Sequence, residues 1–200
     1  MTKSAGPALK EFYEEYGERV RFITLYVREA HPGEVYSQTL TAEQKMRHAR
    51  DYAARDAIPW TVVVDDPGGT LHRQLDEKPD SAYVIGTDGC VLFRTLWSNH
   101  RASMRDGLEA AAAGVRPADA EREPRFIPMM SGLGSMYEVL DQAGDVARRD
   151  ALREVPPMFA LARTADLFKP LHLSPLARAA AATGVVIAGA VALIGALINR

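Results

Sequence analysis

From Val20 to Val27, Val20, Phe22, Thr24 and Tyr26 alternate with Ile23, Leu25 and Val27, which leaves few polar positions on either face of an extended segment. The pattern predicts a strand buried in an α/β sheet. Upstream, Leu9, Phe12, Tyr13 and Tyr16 recur at helical spacing from Ser4 or Pro7 onward, and Gly17 supplies a stop. After a polar loop from His31 to Leu40, Thr41-Ala42-Glu43-Gln44 forms a capping-box pattern that opens a helix to about Asp56. Trp60–Val64 reads as a short apolar strand, and Asp65-Asp66-Pro67 caps a helix that runs to about Leu75, followed by a turn from Glu77 to Asp80. Ala82–Ile85 and Val91–Arg94 are β-rich runs separated by Thr87-Asp88-Gly89, a hairpin signal. Arg101–Ala113 is helical and Gly114 ends it.

This order of elements closes on an antiparallel hairpin and a helix. It is the order of a thioredoxin-like fold that begins at its first helix, so residues 1–115 are expected to form such a domain lacking its first, central strand. Val20–Val27 and Ala82–Ile85 would then each miss a neighbour, leaving backbone N–H and C=O groups unpaired at about 1–3 kcal/mol each. Another segment or another chain would have to fill the gap. Residues 116–128 are charged and punctuated by proline, as in a linker. Residues 129–170 are expected to be helical, with breaks at Gly132, Gly134, Gly144 and Pro156-Pro157, and Met158–Phe168 forms a short amphipathic helix able to lie on a membrane surface.

Ala179–Ile198 carries no charge, and about 20 helical residues span roughly 30 Å, the hydrocarbon thickness of a bilayer. A transmembrane helix is therefore expected within residues 176–198. Gly184, Ala188, Ala192 and Ala196 would line one face of it with small residues, a surface suited to helix–helix contact and to a homo-oligomer.

Composition narrows the function classes. The 200 residues carry a net charge of −2 with no basic patch or stripe, so nucleic acid is not an expected partner. Cys90, the single cysteine, rules out an internal disulfide and any CxxC site within the chain. No metal or cofactor is expected. The segment from Met1 to Phe12 has no apolar core of signal-peptide length. Lys169, His172 and Arg178 precede the apolar run and Arg200 follows it, which is expected to leave the main domain on the cytoplasmic side.

Candidate chemistry gathers just past the first strand, where Glu29 and His31 stand at the carboxyl end that collects ligands in open parallel sheets. Trp97, Asn99 and His100, in the loop after the last strand, are secondary candidates. Cys90 is read as a packing residue, Asp65 and Asp66 as caps, and His48 and His72 as solvated or capping residues on helices, without companions at ligand spacing.

The strings Ala8-Leu9-x-x-Phe12, Phe22–Glu34 (FITLYVREAHPGE), Val62-Val63-Val64-Asp65 and Pro79–Ile85 (PDSAYVI) together resemble the iodothyronine deiodinase family, and in particular its bacterial deiodinase-like redoxins. The likeness covers about residues 1–113. It implies a thioredoxin fold with a catalytic Cys or selenocysteine, to which Glu29 and His31 correspond as neighbours, His31 handling a proton and Glu29 orienting it. The family's nucleophile stands in a Thr-Cys-Pro or Thr-selenocysteine-Pro turn just before the first helix, and Met1–Leu9 resembles the sequence that follows that turn. The nucleophile is therefore expected just upstream of Met1, with an in-frame UGA or Cys codon there. The implied activity is that of a membrane-anchored oxidoreductase on a peroxide, a disulfide or a halogenated compound. The alternative is a degenerate, non-catalytic redoxin module that serves as a membrane-tethered binding or assembly protein.

Overall fold

A computed structural model describes residues 2–29, 31–75, 77–78 and 80–198, with side chains from Ala5 onward. The string matches at Met1 and Pro79 and the positive charge at Arg200 lie outside the described residues.

Helix α1 (Thr2–Tyr16) is followed by β1 (Ile23–Tyr26), α2 (Ala42–Arg55), β2 (Thr61–Val64), α3 (Thr70–Gln74), β3 (Ala82–Ile85), β4 (Val91–Thr95) and α4 (Arg101–Ala112). The expected order is present. Local chemistry explains most boundaries: Thr41 caps α2 by accepting from the Gln44 N–H at 3.2 Å, while the Gln44 side chain accepts from the Leu40 N–H at 3.1 Å. The β3–β4 turn closes through a Gly86 N–H to Cys90 carbonyl bond of 2.8 Å, with Gly89 at φ +83°, where a side chain would be strained.

The strands do not join into one sheet. β1 and β2 form a parallel pair in register from Ile23 with Thr61 to Tyr26 with Val64, and β3 and β4 form an antiparallel pair in a second sheet. Among the described residues, nothing pairs with the remaining edge of β1 or of β3. Both strands nevertheless rest on one core: Ala8, Phe12 and Tyr16 of α1 pack with Met104 and Leu108 of α4, and Val20, Phe22 and Ala82 lie against that cluster. Exposed pairs of Arg101 with Glu11 and Arg105 with Glu15 edge the same helix contact, where such pairs contribute little.

The segment 116–128 is not a free linker. Within it β5 (Glu121–Arg122) pairs in parallel with Arg94 and Thr95 of β4, and Arg94 meets Glu121 at 2.8 Å. It leads into α5 (Phe126–Ala143), α6 (Asp145–Glu154) and α7 (Pro156–Asp166). Gly132 and Gly134 do not interrupt α5. Gly144, at φ +116°, does end it, and Pro156 starts α7 at the position where its missing N–H costs nothing. Leu140, Ala143, Ala147, Ala151 and Phe159 form the core of this helical unit.

Helix α8 (Pro175–Ile198) has a mean hydropathy of 2.4 in its most apolar window and is long and apolar enough to cross a membrane. Its first turns pack one face against the helical unit, however. Ala179 and Ala182 are fully buried in the contact of α8 with α5 and α7, Leu176 and Ala180 are exposed on its outer face, and exposure becomes nearly continuous past Thr183. Among the described residues this nearly continuously exposed part covers about 15 residues or roughly 22 Å, less than the expected 176–198 span. Gly184, Ala188, Ala192 and Ala196 are all exposed along it.

Candidate functional site

A cleft of about 650 Å³ opens beside β1, lined by Thr24, Leu25, Tyr26, Val27, Arg28 and Glu29 in unbroken succession. Successive strand side chains point to opposite faces, so a wall made of every residue in turn follows the strand's edge. Asp80, two residues before β3, lines it too, with His72 and Glu77 and with Val139, Gln142 and Ala143 of α5. The cleft thus lies along the unpaired edge of β1 and reaches the foot of β3.

Glu29 sits in its wall with its side chain only 6% exposed. One oxygen, Oε1, accepts from the Tyr26 hydroxyl at 3.0 Å and lies 3.0 Å from His48 Nδ1; the other accepts from the Thr39 N–H and hydroxyl and from Gln38. Burial pushes the carboxyl pKa up, but hydrogen bonding, led by His48, outweighs this and holds it below the usual range. Glu29 therefore does not orient His31 as expected. Its partner is His48, which is buried at 9% exposure rather than solvated, with its ring edge-on to Tyr36 at 5.3 Å. Burial against this hub raises the Tyr26 hydroxyl pKa.

His31 stands at the cleft rim, open to solvent on one side, and partial desolvation lowers its pKa below the ordinary imidazole value. The loop that carries it is clamped onto the helical unit. Gly33 lies so close to the Ala143 carbonyl that no side chain would fit, the Val35 N–H donates to that carbonyl at 3.1 Å, and the Glu34 carboxylate accepts from the first N–H groups of α6, including Val146 at 2.9 Å.

Trp97, Asn99 and His100 are not brought to the cleft. Trp97 is buried, the Asn99 amide donates to the Pro128 carbonyl at 3.1 Å, and His100 caps α4 through Ser103. Asp65 caps α3 with both oxygens, and Asp66 accepts from the Thr70 N–H. Among the described residues no three or more His, Cys, Asp or Glu side chains are grouped to hold a metal ion.

Asp80, expected only as a turn residue, emerges as a cleft group. Its backbone is left-handed at φ +62°, a conformation that Asp and Asn adopt more readily than other non-glycine residues. Ser98 ties it in place, hydroxyl to Oδ1 at 3.0 Å and N–H to the Asp80 carbonyl at 2.7 Å, while Oδ2 is buried with no hydrogen-bond partner among the described residues. Burial pushes its pKa up. A carboxyl that prefers its proton when folded favours folding below the ordinary carboxylate pKa and loses that contribution as the pH rises through its raised value. Asp80→Asn keeps the acceptor for Ser98 and removes the charge, so it should melt about 2–4 °C higher than wild type above pH 7 and show little difference near pH 3. Parallel pH series of thermal melts check this.

Compared with protein-family models, curated proteins and solved structures, the chain matches none.

Proposed function

We propose that the chain is the membrane-anchored body of a thioredoxin-type oxidoreductase, whose Cys or selenocysteine arrives on an extended segment preceding Met1 and lying in the cleft between β1 and β3. The observation that carries this reading is the cleft's position along an unpaired strand edge. Helix α1 reaches β1 through the short connection Gly17–Phe22 and shares a core with it, so the amino end of α1 lies toward the carboxyl end of β1. A strand leading into α1 would therefore run parallel to β1, and its last residue would face His31 and Asp80.

The local chemistry suits such a nucleophile. The amino end of α1 favours a thiolate or selenolate, and His31, its pKa lowered, is neutral at pH 7 and able to accept the thiol proton. Attack on a peroxide oxygen, a disulfide sulfur or a halogen leaves an anion that needs a proton. Asp80, whose burial favours the protonated carboxyl, is the donor. Tyr26, Tyr36 and Tyr52 along the wall, with Arg55 stacked on Tyr36 and Tyr52, suit a substrate with an aromatic or apolar body.

The test is to express the protein with the codons upstream of the Met1 codon included and any in-frame UGA recoded as Cys. Alkylation should then report a thiol pKa below the ordinary value of about 8.5, and His31→Ala should slow peroxide or disulfide turnover by about 10²-fold. If no nucleophile is encoded there, catalysis is abandoned for the tethered assembly module. The saturated hydrogen bonding of Glu29, which leaves it no proton to move, is the observation that favours that second reading.

A further inference from the structure

Arg178 sits where α8 leaves the helical unit, four residues into the helix, and is only 6% exposed. Its side chain forms no hydrogen bond or ion pair with any described residue, and its Nε is sealed from solvent with no acceptor. The residues buried beside it on α8, Ala179 and Ala182, offer no polar group; Glu138 meets Lys169 at 3.2 Å, Asp141 and Asp145 hold Arg148, and among the described residues no contact joins Asp150, Glu154 or Asp166 to Arg178. A buried guanidinium without an anion is destabilising. The two outer nitrogens are not among the sealed, unpartnered atoms, and they are the part of the side chain left for an anion to reach.

The depth of this open fork identifies the anion. Arg178 precedes Thr183, past which α8 is exposed almost without interruption, by about 7.5 Å of helix rise. A headgroup layer adds roughly 5–7 Å to each side of the hydrocarbon core, so with Thr183 at the hydrocarbon boundary the guanidinium lies at the level of the phosphates.

We propose that Arg178 binds the phosphate of a phospholipid headgroup through its outer guanidinium edge and so fixes the depth at which the helical unit rests on the membrane. The proposal rests on reading α8 as a membrane span. A planar fork of two donors fits a phosphate where an ammonium would offer a single point charge.

The full chain, purified in a phosphate-free maltoside detergent, is titrated with phosphatidylglycerol, with diacylglycerol of the same chains, and with inorganic phosphate, while thermal unfolding is followed. Phosphatidylglycerol should raise the melting temperature and diacylglycerol should not. Arg178→Gln should bind the lipid roughly tenfold more weakly, with Arg178→Lys in between. An equal response to diacylglycerol, or an unchanged lipid response in both variants, would overturn the proposal. A full response to inorganic phosphate alone would reassign the site to a soluble anion. Flotation of the wild-type chain with phosphatidylcholine vesicles is the control: failure to float removes the membrane span itself, whereas flotation without a role for Arg178 removes only the headgroup site.

Discussion

Glu29→Ala is expected to lower folding stability by about 3–5 kcal/mol, the range seen when one member of a buried polar pair is deleted. The carboxylate accepts from Tyr26, Gln38 and both donors of Thr39, and it meets His48, so its removal strands buried polar groups on β1, on the loop and on α2 at once. Glu29→Gln should recover part of the loss, because its carbonyl can still accept from Thr39 while its amide has no acceptor role toward Tyr26 or His48. The pH dependence has a fixed sign. The carboxyl pKa is lowered on folding, so its contribution is complete above the ordinary carboxylate range and drains away as the pH falls through the depressed value. Chemical denaturation of wild type and both variants across that range measures the effect, and the gap between wild type and Glu29→Ala should narrow in acid.

Gly134→Val should separate α8 from the helical unit. A Cβ at Gly134 would overlap the Pro175 carbonyl, which is backbone and cannot swing aside as a flexible side chain would. Forcing the substitution moves the start of α8 off α5, at a cost on the order of 3 kcal/mol, and exposes Ala179 and Ala182. Protease should then cut between Leu173 and Thr183 in the variant and leave wild type intact, with α8 still partitioning into detergent. Gly134→Ala tests the same contact more gently and should give a smaller opening.

Much of this architecture is readable from short-range chemistry. The Thr41–Gln44 box, the Thr87-Asp88-Gly89 turn and the breaks at Gly144 and Pro156 each depend on residues a few positions apart, and each marks a boundary in the fold. The uncharged run at the C-terminus stands out for the same reason, by composition alone. What escaped the sequence depends on distant partners. β5 has only two residues, both charged, and exists because the edge of β4 offers unpaired groups to Glu121 and Arg122. His48 lies nineteen positions from Glu29, and no local pattern distinguishes it from a solvated helix residue. The division of α8 into a packed and a protruding part follows from the closeness of Gly134 to Pro175, while the alanines on either side of Thr183 look alike in sequence. Asp80 left one local trace, an Asp leading into a strand in a left-handed turn, but its burial comes from the Ser98 loop.

The central claim is that the slot between β1 and β3 receives an extended segment from upstream of Met1. Amide hydrogen exchange, compared between the 200-residue chain and the same chain extended by its upstream codons, tests it most directly. The account predicts rapid exchange along the cleft-side edge of β1 and the outer edge of β3 in the shorter chain, and protection of both in the extended one. Equal protection in the two proteins would mean that the slot takes no strand from upstream, and the redox assignment would fall with it.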